Sequence, residues 1–306
     1  MQLRWLSFQK ERYYLMGKKI RIMKWEKIYL KKEISTAKKV ELLVSNEMQL
    51  DGNGFVDEYS KYYYIPEDND NSQIGREKDE NCPKSIIQTP EWIEKNIMSL
   101  MEKDNWELKD VIRILAWKTG NIDFNKSNKN DSIEYKEGWD EEKGLIKLRN
   151  QKSYNPSSFE KFAQNVISIN KKYKNSEITE KEVWIELVES LDGDKDVSGI
   201  GTVYLITLLY FITKGKCPIY DRFAMAALLS FKINENEMLV KPYCAKIVIK
   251  ALPDKKSSKI KKLLDGDNVY NNYCSLLKEY FESKWETNKE IDKALWVYGH
   301  FFNTEQ

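Results

Sequence analysis

Two short stretches hold residue types at spacings that suit chemistry. The first is Gly199-Ile200-Gly201-Thr202, at the start of the apolar run Thr202 to Thr213. Glycines there remove the Cβ atoms that would keep a nucleic-acid backbone away. A turn of this kind aims successive amide N–H groups, together with the dipole of the helix that follows, at one phosphate. It positions DNA without reading its sequence. The second stretch is Cys217-Pro218-Ile219-Tyr220-Asp221-Arg222-Phe223-Ala224. Pro218 favours extended backbone, and Asp221 is then placed to cap a new helix with its carboxylate. Read singly, a Gly-x-Gly is a tight helix-helix corner and Asp221 a plain N-cap.

Other chemistries find little support. The four cysteines, Cys82, Cys217, Cys244 and Cys274, form no C-x2-C pair and read as free thiols in a reducing compartment. His300 is the single histidine, so a Ser-His-Asp or Cys-His arrangement would have to run through the last few residues. Asp192-Gly193-Asp194-Lys195-Asp196 begins like a calcium loop, but Val197 stands where the loop needs glycine and Val203 where it needs glutamate. No zinc or calcium site is expected. Lysine and arginine number 50 against 48 aspartate and glutamate, so DNA affinity has to come from a localised face. The basic runs Lys18-Lys19-Ile20-Arg21 and 255–262 suit phosphates, or simply water.

The elements that must position these residues read as helices. Thr89-Pro90 opens one, Asn105 to Gly120 forms a second, Pro156 starts a third through Tyr173, and Thr179 with Glu182 has capping-box spacing for a fourth through Leu191. Four or five more follow to 302. Residues 17–50 alternate in a way that suits a few strands or a short helix, and Asp51-Gly52-Asn53-Gly54 reads as a turn. The expected organisation is a small mixed or irregular N-terminal region over 1–65, a polar linker over 66–88, and a helical domain over 89–306. Within that domain the hairpin spans 183–213 and the aspartate-bearing helix start 218–228. No window approaches the ~20 apolar residues of a membrane span, and no secretory signal is evident, so a cytoplasmic protein is expected.

The run Gly199-Ile200-Gly201, a buried helix, Gly215-Lys216, Pro218-Ile219 and Asp221 resembles the helix-hairpin-helix DNA glycosylase superfamily, nearest to its 8-oxoguanine and adenine glycosylase branch. Gly201 and Asp221 are 221 − 201 = 20 positions apart, similar to the family's separation of hairpin glycine and catalytic aspartate. The segment Ile291 to His300 looks like the closing helix of some 8-oxoguanine members. The resemblance implies a mainly α fold, double-stranded DNA as partner, phosphate contacts from Gly199, Ile200, Gly201 and Thr202, and Asp221 as the catalytic carboxylate. Asp221 would then stabilise the oxocarbenium-like sugar, or orient water, as the N-glycosidic bond of a flipped base breaks. Tyr204, Tyr220, Phe223 and Trp117 are aromatic candidates for the base pocket. The pattern departs from the family at Val203, where strand-cleaving members keep a nucleophilic lysine, with Lys195 the nearest alternative. The iron–sulfur loop is also absent. A monofunctional glycosylase without cofactor follows, its hairpin able to hold a monovalent cation through backbone carbonyls. The alternatives are a DNA-binding module that has lost catalysis and a helical protein-interaction domain.

Overall fold

The computed structural model describes residues 18–29, 41–63, 89–124, 126–127, 133–147, 156–191, 199–236, 238–240 and 247–300. The chain is mainly helical. Its sheet, among the described residues, is a two-stranded antiparallel ribbon of β1 (Ile20–Tyr29) and β2 (Glu41–Leu50), paired from Ile20 opposite Leu50 to Tyr29 opposite Glu41. Period-2 alternation at Ile20 and Ile22 puts both side chains on one face, where they are fully buried. The helices are α1 (Gly52–Tyr59), α2 (Glu91–Met98), α3 (Leu108–Thr119), α4 (Pro156–Lys174), α5 (Glu180–Glu189), α6 (Thr202–Ile212), α7 (Arg222–Glu235), α8 (Val269–Phe281), the short α9 (Lys284–Thr287) and α10 (Glu290–His300).

Local chemistry accounts for most boundaries. Thr179 and Glu182 form the reciprocal capping box of α5, and Gly120 ends α3 at φ 67°, a left-handed position that glycine adopts without strain. Two boundaries differ from expectation. Asp51-Gly52-Asn53-Gly54 is not a free turn: Asp51 accepts the Gly54 amide at 2.7 Å and caps α1. The same Asp that favours a turn offers an N-cap once Phe55, Val56 and Tyr59 have a core to enter. At α2 the cap is Pro90 rather than Thr89.

The core is one continuous cluster. It runs from Ile20, Ile22, Phe55 and Tyr59 through α3 and α6 to Tyr298, so the N-terminal residues share the interior of the C-terminal helices. Phe55 packs edge-on against Tyr298 at 5.5 Å and Phe231 at 4.9 Å. α6 is the central element, with every residue from Leu205 to Ile212 buried. Its polar side chains bond back into the helix, as Thr207 Oγ1 does to the Val203 carbonyl at 3.0 Å. α5, α4 and α3 surround α6, while α7 and α10 pack on each other. Between α3 and α4 the chain is irregular but pinned: Arg113 on α3 donates twice to Glu141, at 2.6 and 2.7 Å, and Tyr135 donates to the same carboxylate. No described helix is long and apolar enough to cross a membrane.

α10 crosses the first turn of α7 at close range. A Cβ at Gly299 would fall 1.9 Å from the Phe223 carbonyl oxygen, which is backbone and cannot rotate away. Gly299→Ala is therefore expected to displace α7 and destabilise the fold by about 1–3 kcal/mol, a fall of several degrees in the thermal midpoint. Calorimetry on the variant checks this; an unchanged midpoint would show that the crossing is loose.

Candidate nucleic-acid interface and active site

α5 and α6 are packed side by side, and the described part of their connection is Ser190-Leu191 and Gly199-Ile200-Gly201. Ile200 is fully buried and anchors the turn from below. Gly201 is the N-cap of α6 at φ −105° and ψ 177°, and no side chain caps the helix. This backbone is open to any residue, and among the described residues an added Cβ would find nothing within 4 Å. Glycine is a favoured N-cap, and at 201 it also leaves room for close approach from outside. The Thr202 hydroxyl donates to the Pro253 carbonyl at 2.6 Å, holding the irregular segment 247–254 beside the turn.

The uncapped end of α6 opens into a cavity of about 1190 Å³. Its walls are Gly201 to Tyr204, Ala251 to Asp254, and polar residues from the end of α3 and the loop behind it. Three lysines, Lys118, Lys136 and Lys147, face two carboxylates, Glu137 and Asp254, with helix amides adding partial positive charge. The near-neutral chain thus places cations at one spot. The resident groups suit an anion.

Past α6, Lys214 and Gly215 take left-handed backbone at φ 53° and 87° and reverse the chain. The Tyr270 hydroxyl then donates to the Pro218 carbonyl at 2.9 Å, fixing the extended approach to Asp221. Asp221 is the N-cap of α7: its Oδ1 accepts the Phe223 amide at 2.8 Å. Its Oδ2 lies 3.7 Å from Lys118 Nζ, with the two side chains 21% and 13% exposed. That separation is an ion pair without a directed hydrogen bond, so both groups keep valence for a third partner.

Acids and cations crowd behind this pair. Asp292 of α10 is half-buried, but burial of its carboxyl pushes it up to about 6, with Asp221 adding to the rise and Lys118 opposing it. The Tyr273 hydroxyl donates to it at 3.5 Å. Glu94 is 2% exposed and accepts from Trp117 Nε1 at 2.8 Å; burial drives its carboxyl up to about 7 against the pull of Lys293. Burial lowers Lys289 as well. No group of three or more described His, Cys, Asp or Glu residues is arranged to hold a metal ion.

The aromatic candidates scatter around this centre. Tyr204 lines the cavity with Lys118. Trp117 is engaged with Glu94 and edge-on with Phe211 at 5.8 Å, and Tyr220 is buried edge-on against Tyr273 at 5.3 Å. Phe223 stacks on His300 at 3.6 Å, which gives the lone histidine a packing role in a site where burial lowers its pKa. Cys217 and Cys274 are free thiols, each raised by burial to about 12. Cys82, Cys244, the acidic loop 192–196 and Lys195 lie outside the described residues. Lys118 and Asp292 were not visible as site residues in the sequence, because each is near Asp221 only through the tertiary fold, and Glu94 likewise meets Trp117 and Lys293 only through it. Comparison with known proteins leaves the site to its own geometry: no family model, no curated protein and no solved structure matches the chain.

The raised acid makes stability depend on pH. Glu94 costs the fold nothing below its unfolded value of 4.5, and burdens it increasingly as the pH rises to about 7, where the buried carboxylate has ionised. Glu94→Gln keeps an acceptor for Trp117 and removes that burden. The stability of the variant relative to wild type should therefore increase between pH 4.5 and 7, by of order 2–3 kcal/mol, in urea denaturation at several pH values. A difference that does not change with pH would mean that Glu94 is ionised throughout.

Proposed function

We propose that the chain is a helix-hairpin-helix DNA glycosylase, which excises a modified or mispaired base from double-stranded DNA. The observation that carries this reading is the Asp221 carboxylate. One oxygen is fixed by the Phe223 amide, and the other lies 3.7 Å from Lys118, a residue that lines the cavity into which the Gly-x-Gly end of α6 opens. In this reading the amides at 201–203 hold the phosphate backbone, and the flipped nucleotide brings its C1′ to Asp221. As the N-glycosidic bond lengthens, positive charge grows on the sugar. A preorganised carboxylate lowers the barrier because it needs no reorientation at that moment. Tyr204 is the aromatic side chain best placed to meet nucleic acid inside the cavity.

End-labelled duplexes carrying 8-oxoguanine, uracil, alkylated or mismatched bases, treated with hot alkali after incubation, test the proposal. Scission is expected at one lesion class with the wild type, and a loss of at least 100-fold with Asp221→Asn. That variant should keep its duplex affinity. The second reading, a binding module without catalysis, draws on the fact that Asp221 already has a structural role as N-cap; gel shifts without scission at any lesion would select it.

Gly201→Ala separates binding from folding. Among the described residues the added methyl meets nothing and the backbone is unstrained, so the loss of thermal stability should stay within the ~1 kcal/mol cost of alanine at an N-cap. Affinity for duplex should fall about tenfold, ~1.4 kcal/mol, because the methyl projects where the phosphate approaches. Equal affinity of variant and wild type would remove the hairpin from the interface.

A further inference from the structure

Val203 stands where a strand-cleaving relative would carry its lysine, yet an amine reaches the same cavity from another helix. Lys118, at the end of α3, and Val203, in the first turn of α6, both line it. Lys118 also differs from the other lysines there. Its side chain is 13% exposed, whereas Lys136 and Lys147 lie in the solvent-exposed wall and Lys136 is spent on the Gly120 carbonyl. A surface lysine keeps its head in water; this one is drawn in beside two carboxylates, Asp221 at 3.7 Å and Asp292 behind it.

We propose that Lys118 is the nucleophile of the base-excision reaction, delivered from α3 in place of the hairpin lysine that Val203 replaces. The inference rests on the glycosylase reading for its substrate, and it substitutes an amine for the attacking water that Val203 alone implies. Lys118 must first lose a proton, and the Asp221 carboxylate, 3.7 Å from its Nζ, is placed to accept it. The neutral amine attacks C1′ as the bond from C1′ to the base breaks. The base leaves with the electron pair and takes up a proton. Of the two protons left on the attacking nitrogen, one passes to O4′ as the nitrogen electron pair expels that oxygen, and the iminium that then links Lys118 to C1′ keeps the other. Loss of a C2′ proton to a carboxylate or to water expels the 3′-phosphate and cuts the strand. On a preformed abasic site the amine adds to the C1′ aldehyde and water departs, giving the same iminium.

That last route allows a test independent of the unknown lesion. The wild type, Lys118→Arg and Lys136→Arg are incubated with a duplex carrying a preformed abasic site and sodium cyanoborohydride, which reduces the iminium to a stable secondary amine. Arginine keeps the charge beside Asp221 but cannot form the iminium. The wild type and Lys136→Arg should give a covalent protein–DNA species and nick the strand without alkali. Lys118→Arg should lose both at least 100-fold while still shifting duplex in a native gel. Peptide mapping of the wild-type adduct should place it on residue 118, which reads out the assignment even if the variant folds poorly. An adduct on another lysine, an undiminished adduct with Lys118→Arg, or no wild-type adduct overturns the assignment. Alkali-revealed excision of a lesion without any adduct would leave the glycosylase reading standing and remove Lys118 from it. An adduct on residue 118 with no lesion excised would do the reverse.

Discussion

The first turn of α7 is held from three sides, and the site depends on its staying there. Tyr270 holds the extended chain before it through the Pro218 carbonyl, Asp221 ties its own oxygen to the Phe223 amide, and α10 lies against the Phe223 carbonyl so closely that only glycine fits at 299. A carboxylate acts electrostatically only if it does not have to be organised during the reaction, and backbone contacts organise it far more rigidly than a rotamer preference does. The stacked pair of Phe223 and His300 closes the same joint. The histidine that looked, from composition, like the last resort of acid–base catalysis is part of the clamp instead.

Burial of charge is the counterweight. Glu94, Lys293 and the carboxyl of Asp292 are withdrawn from water around the Lys118–Asp221 pair, an arrangement that a fold optimised only for stability would replace with apolar side chains. Proteins keep such clusters where a shifted proton affinity is useful. Here the cluster sits against a largely apolar α6, whose low polarity lengthens the reach of each charge.

What was legible in the sequence was what is encoded within a few residues. Thr179 and Glu182 are three positions apart and cap each other, Gly120 ends a helix because of its own backbone freedom, and Asp221 announces a helix start. The alternation around Ile20 and Ile22 signalled strands but not their partner. Asp51 was ambiguous, because the interaction that makes a turn also makes a cap; the choice was settled by Phe55 finding Tyr298 at the far end of the chain. Lys118 was illegible for the same reason on a larger scale. Trp117-Lys118-Thr119-Gly120 reads as an ordinary helix end, and nothing local says that Asp221 will stand beside it.

α7 is gripped at its other end as well. Asn234, fully buried, donates to the Arg21 carbonyl at 2.8 Å and accepts the Val240 amide at 2.8 Å, while Arg21 reaches back to the Asn234 carbonyl at 3.1 Å. The ribbon and α7 therefore share one polar joint within apolar surroundings. A chain trimmed back to Met23 would lack Ile20, Arg21 and Ile22, leaving an orphaned amide in the interior and an unfilled space beneath α7. The limit of trimming that α7 tolerates from this side therefore falls before residue 20.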